Sequence, residues 1–230
     1  MQKQNNNHEV SKRQMRKFDI ISFIFELLDK IGGTTKMSLS DKELSMIEDT
    51  DFLITKVNII SEIVILMETT KARLVEAIER ENLDIVSKTE LQNGRVFKGE
   101  YYRELPFVTL DLPRIFEKEN VFAYRTMFWW GNFFSATLHL QGEYLELHRA
   151  KLLSNFDMLL HQDIYICVGK TPWEYHYGKD NYVKLSSQHK EIIQNSSFIK
   201  LSKRIPLEQI ESVPQISSSF FLYLASVLSE

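Results

Sequence analysis

The hydrophobic pattern changes period near residue 85. Before it, apolar residues recur every three or four positions; after it, short alternating runs are separated by glycine, proline and asparagine. The first pattern predicts amphipathic helices, the second strands and turns. In 10–31, Ile20, Ile21, Ile24, Phe25, Leu27, Leu28 and Ile31 keep helical spacing ahead of Gly32 and Gly33, which predicts a first helix with a glycine stop. Ser40 and Glu43 form a capping-box arrangement, so a second helix is expected from Asp41. The acidic stretch 48–51 is read as a break, with Thr50 or Asp51 capping a long third helix that carries Phe52, Val57, Ile60, Val64, Met67, Leu74 and Ile78. Its middle, 59–67, is apolar on nearly every side. Such a helix is expected to be covered on several faces, at the centre of the fold or in a dimer interface.

Beyond residue 85 the runs read as strands. In 107–112, Val108, Leu110 and Leu112 share one side and Thr109 and Asp111 the other, and Pro113 is expected to end the strand. Two strand-forming runs flank Gly131 and Asn132, which predicts a β-hairpin with a two-residue loop. In that register Trp130 faces Phe133, Thr126 faces Thr137 and Tyr124 faces His139. Side chains alternate along a strand. One hairpin face then carries Val121, Ala123, Met127, Trp129, Phe134, Ala136, Leu138 and Leu140, with Arg125 among them. The other carries Phe122, Tyr124, Thr126, Phe128, Trp130, Phe133, Ser135, Thr137, His139 and Gln141, an aromatic floor set with polar groups. Downstream, the spacing predicts a helix over 143–160, a strand over 163–168, an aromatic loop over 172–182 and a strand over 183–185. A last strand over 198–205 precedes closing helices over 207–213 and 217–228. The succession is that of an α+β fold, with a helical region at 1–88 and a mainly antiparallel sheet domain with flanking helices at 89–230.

Composition narrows the function classes. A chain of 230 residues that is 43% hydrophobic can bury a substantial core. The formal net charge of −3 supplies no field that would gather nucleic acid or an anionic membrane, so nucleic acid is not an expected partner. The polar N-terminus lacks the apolar core of a secretory signal, and the apolar window 57–67 is too short to cross a bilayer. The single cysteine, Cys167, leaves no intrachain disulfide and fits a reducing, cytoplasmic setting. The six histidines show no metal-ligand spacing, so no metal site is expected. Gly169, Lys170 and Thr171 imitate the end of a phosphate-binding loop, but Ile164 stands where its first glycine belongs and Pro172 follows where a helix should start. Neither a nucleophile elbow nor a dinucleotide fingerprint is present, and no cofactor is specified.

The candidate chemistry lies on and around the hairpin. Arg125, placed on the apolar side by the expected register, needs a partner; Asp111 is the candidate. If Arg114 converges with Arg125, anion binding is favoured. His139 is the leading acid, base or ligand-binding group, and Glu146 with His148 could complete a polar site around it. Trp173 and His176, in the aromatic loop, are either a lid over a ligand or packing against the sheet. Three roles follow. The first is a binding protein for a small molecule or protein partner, using Tyr124, Thr126, Thr137, His139 and Gln141 with Arg125, Arg114, Asp111, Trp173 and His176. The second is a hydrolase with His139 as general base and Arg125 or Arg114 stabilising charge. The third is an interaction protein that self-associates or docks a partner through the 52–78 helix.

Overall fold

A computed structural model describes residues 39–81, 83 and 93–229. The predicted first helix at 10–31 lies outside them. The chain divides into two compact units, 1–53 and 54–230.

The described part of the first unit contains helix α1 (Asp41–Glu48) and the start of α2 (Thr50–Arg80). Ser40 caps α1 through the expected reciprocal box: its hydroxyl accepts from the Glu43 amide, and the Glu43 carboxylate accepts from the Ser40 amide at 2.7 Å. The helix break occurs where the acidic stretch placed it. The cap of α2 is Asp49 rather than Thr50 or Asp51, its Oδ1 accepting from the Phe52 amide at 3.0 Å.

In the second unit, a seven-stranded antiparallel sheet runs in the order β1-β2-β3-β4-β7-β5-β6. Its strands are β1 (Arg95–Tyr102), β2 (Leu105–Phe116), β3 (Val121–Trp129), β4 (Phe133–Gln141), β5 (Tyr165–Cys167), β6 (Tyr182–Lys184) and β7 (Phe198–Ile205). Helices α3 (Glu143–Ser154), α4 (Phe156–Leu160), α5 (Lys190–Asn195) and α6 (Val213–Ser229) complete it. The fold is α+β. The predicted 143–160 helix is divided at Asn155, whose side-chain Nδ2 donates to Val227 O, and α5 has no counterpart among the predicted elements.

One face of the sheet meets the helices. Leu110 and Leu112 of β2, Tyr124 and Phe128 of β3, Phe134 and Leu138 of β4 and Leu201 of β7 join one buried cluster with Met67 and Leu74 of α2 and Phe221 and Leu224 of α6. The buried positions of α2, Ile60, Ile63, Met67, Thr70, Leu74, Ala77 and Ile78, follow the period of one helical stripe. The opposite sheet face is crossed by residues 168–181, here termed the strap.

The hairpin register differs from the expected one. Trp129, not Trp130, pairs with Phe133, so the loop has three residues, Trp130, Gly131 and Asn132. The two-residue type I′ turn needs positive φ at both central positions. Gly131 takes φ 68°, whereas Asn132 is not among the described residues with positive φ. Trp130 is instead held to β2, its amide donating to Pro106 O at 3.0 Å. A slip of one residue exchanges the faces of a whole strand. Phe122, Tyr124, Thr126 and Phe128 therefore point to the helices, while Val121, Ala123, Arg125, Met127 and Trp129 share the strap side with Ser135, Thr137 and His139. Pro113 does not end β2 either. The strand continues to Phe116 across a register shift between Asp111 and Arg114, a bulge that accommodates a residue lacking an amide donor.

Candidate functional site

The strap side of the sheet is unusually polar for a buried surface. Two rungs of paired residues cross it. One runs Arg95, Asp111, Arg125, Thr137, Ser202 and Tyr165; the next runs Arg114, Ala123, His139 and Lys200. Asp111, Thr137, His139, Lys200 and Ser202 are all buried.

Arg125 pairs with Asp111, the partner expected for it, but on the polar face rather than among core residues. Its Nε donates to Oδ1 at 2.6 Å and its Nη2 to Oδ2 at 2.8 Å, a bidentate fork, while Nη1 donates to the Tyr175 hydroxyl at 2.7 Å. Burial opposes the charge on Arg125, and Asp111 together with Tyr175 and Tyr182 more than offsets it, so its pKa is raised. Lys200 is fully buried and fastens the strap: its Nζ donates to Pro172 O and Glu174 O, each at 2.7 Å, and lies 3.9 Å from the Tyr175 ring centre. Burial pulls its pKa down to about 7; Cys167 opposes that shift and Arg125 adds to it. Tyr102 ties the strap from the other end, accepting from the Tyr175 amide and donating to Glu174 Oε2.

His139 stands between Trp173 and Phe198, with ring centres 5.9 and 6.1 Å away. It is buried and its Nε2 has no hydrogen-bond partner. Burial, then Lys200 and more weakly Arg125, drive its pKa down to about 3 against a side-chain hydrogen bond with Gln141, so the ring is neutral at pH 7. Arg114 also carries a buried Nε without a partner. Its guanidinium lies 5.4 Å from the Phe97 ring centre and 5.9 Å from that of Phe116, and the Arg125 guanidinium lies 6.0 Å from the same Phe116 ring. The two arginines thus flank one ring on one face.

The structure assembles only part of the sequence-predicted site. Asp111, Arg114, Arg125, Thr137, His139 and Gln141 share the strap side. Tyr124 and Thr126 do not: the register slip turns them to the helices, where the Tyr124 hydroxyl donates to Ser217 O and the Thr126 hydroxyl pairs with that of Ser217, each at 2.7 Å. Ala123, not Tyr124, faces His139, and Ala136, not Thr137, faces Thr126. His148 packs against Phe122 on the helix side, and Glu146 is engaged by Arg149, so neither joins His139. In the strap, Tyr175 and Tyr177 pack down onto the sheet while Trp173 is 55% exposed. His176 serves the strap itself, its Nδ1 accepting from the Gly178 amide and its carbonyl from Asn181 Nδ2.

Lys200 and Phe116 are the members that sequence reasoning missed, whereas Tyr175 belongs to the aromatic loop it singled out. The alternation of Ile199, Leu201 and Ile205 with Lys200, Ser202 and Arg204 assigns Lys200 to the non-core side, but a buried lysine and a solvent lysine read alike in that pattern.

A separate pocket of about 220 Å³ beside the strap is lined by Cys167, Gly169, Ile192, Ser196 and Phe198 among others, and by no charged side chain. Among the described residues no group of three or more His, Cys, Asp or Glu could hold a metal ion, and no helix is long and apolar enough to cross a membrane. No family model, curated protein or solved structure matches the chain.

Proposed function

We propose that this chain is a binding protein for a small molecule, with its site on the strap side of the sheet around His139 and Arg114. The observation that carries this role is the pair of buried, unpartnered nitrogens, His139 Nε2 and Arg114 Nε, on a face already dense in buried polar groups. A buried donor or acceptor left unpaired costs about 1–3 kcal/mol. A fold that retains two such groups on one face, where apolar residues would pack without penalty, has a use for them. Binding is favoured over hydrolysis because His139 holds a proton so weakly that it makes a poor general base, and no carboxylate hydrogen bond orients it.

The test is a thermal-shift screen of the wild type and His139→Gln against metals, nucleotides, sugars, amino acids and carboxylic acids. A compound that binds the native state raises its stability. The expected result is a compound class that stabilises the wild type and not the folded variant; equal shifts in both proteins, or none in either, would count against the site.

A second role, self-association through α2, rests on a different observation. Ile54, Val57 and Ile65 are exposed by 59, 63 and 58%, and helical spacing places them on the side of α2 away from its buried stripe. The only charges in 54–65 are Lys56 and Glu62, and Lys56 is held by Glu100 at 2.5 Å, so little repulsion opposes a second copy. Light scattering is expected to give a dimer for the wild type and a monomer for Ile65→Asp. A monomeric wild type at high micromolar concentration would remove this role.

A further inference from the structure

We infer that the site takes a small planar carboxylate, its oxygens on Arg114 and His139 and its flat body against Phe116 and Trp173; this rests on the binding role proposed above. The two arginines beside Phe116 differ in what they have left to give. The forked donors of Arg125 are committed to both oxygens of Asp111 and to the Tyr175 hydroxyl. Arg114 lies among Phe97 and Phe116 with its buried Nε unmatched by any acceptor. A guanidinium walled by rings calls for an acceptor that is anionic and planar, because its donors form a flat fork.

The rung supplies the second contact. Arg114 pairs with Ala123, and Ala123 with His139, so the two unpartnered groups sit on one side of the sheet, two strands apart. At roughly 4.8 Å per strand their backbones are about 10 Å apart, with only the Ala123 methyl as a side chain between them. The neutral His139 ring, in the tautomer with Nε2–H, donates to one carboxylate oxygen while Arg114 Nε donates to the other.

Charge points the same way. Arg95, Arg114 and Arg125 lie on this face against the carboxylate of Asp111. Glu174, at the rim, is engaged by Tyr102 and Arg103. An anion entering this partly dry surface meets an excess of positive charge that water screens weakly. The rings supply flat apolar surface: Phe116 and Trp173 pack on each other, 6.3 Å apart centre to centre at an interplanar angle of 37°. Trp173 is the exposed member, so it is the wall that yields as a flat body enters.

The experiment is calorimetric titration of the full chain with benzoate, benzamide and inorganic phosphate, repeated on Arg114→Gln and Ala123→Val. Arg114 is only half-buried, so its variant is expected to stay folded, which circular dichroism checks. Benzoate should bind the wild type at least about tenfold more tightly than benzamide or phosphate does, and should lose at least about tenfold in Arg114→Gln, the scale of a hydrogen bond to a charged group. Ala123→Val should weaken it further by adding two methyl groups between Arg114 and His139. Benzoate binding that survives Arg114→Gln, that is matched by benzamide or phosphate, or that is absent at millimolar concentration would overturn the carboxylate assignment. The binding role itself survives that failure if another compound in the screen stabilises the wild type and not His139→Gln, and falls if none does.

Discussion

Replacing Asp111 with Asn is expected to destabilise the protein by about 3 kcal/mol, because it leaves the Arg125 charge without its counterion in a largely dry site. Asp111 is 2% exposed at its side chain and Arg125 21%, so the residual access of Arg125 to water keeps the cost at the lower end of the range for broken buried pairs. The effect should not stay local. Arg125 also donates to Tyr175, and Tyr175 sits where Lys200 and Tyr102 fasten the strap. Urea unfolding measures the cost, and proteolysis within 168–181 should accelerate in step. Adding Arg125→Met to Asp111→Leu should recover most of the loss, since removing both charges leaves no uncompensated ion. A change below about 1 kcal/mol for Asp111→Asn would mean that the pair is solvated in solution and that the polar face is not closed.

Acidification is expected to destabilise the fold through His139 between about pH 6.5 and pH 3. Unfolded, the ring takes up a proton near pH 6.5; folded, it does so only near pH 3, because it is buried and faces Lys200 and Arg125. In that window the unfolded state binds more protons, so stability falls as pH falls, by about 1.4 kcal/mol per pH unit from this group. Above pH 6.5 the contribution is fully present and flat. By pH 4 the loss is on the order of 3 kcal/mol, a large part of the margin of an ordinary domain. Carboxylates titrate in the same range, so the informative quantity is the difference in slope between wild type and His139→Gln, followed by denaturant unfolding from pH 7 to pH 4. The variant should show the shallower slope. Parallel curves would indicate that the ring takes up its proton in the folded state near its ordinary value.

The contrast between what the sequence reveals and what it conceals is clearest in the hairpin. Phe134, Ala136, Leu138 and Leu140 alternate with Ser135, Thr137 and His139, so the two faces of β4 separate by chemistry alone, and the separation is the one found. In β3 both faces are mainly apolar or aromatic, with one polar residue each, Arg125 and Thr126, and only the loop length fixes which side faces the helices. A loop of three residues instead of two was enough to send Tyr124 and Thr126 inward and to bring Arg125 beside Thr137. The Arg125 anomaly dissolves with that slip, although its pairing with Asp111 was legible from the need to neutralise a buried charge. The alternation of β7 and the capping box of α1 are local signals and match the structure. Arg114 required the bulge at Pro113, which no local pattern announces. Lys200, Tyr175 and Phe116 required knowledge of how the strap lies on the sheet, which is set by contacts between residues distant in the chain.

The most direct measurement compares the two sides of the sheet in one titration. His139→Gln alters the strap side and Tyr124→Phe the helix side, where the Tyr124 hydroxyl bonds Ser217 O. The compound that most stabilises the wild type in the screen is titrated into both folded variants by calorimetry. A site on the strap side predicts that binding is lost in His139→Gln and kept in Tyr124→Phe; the reverse order, or equal loss in both, would contradict it.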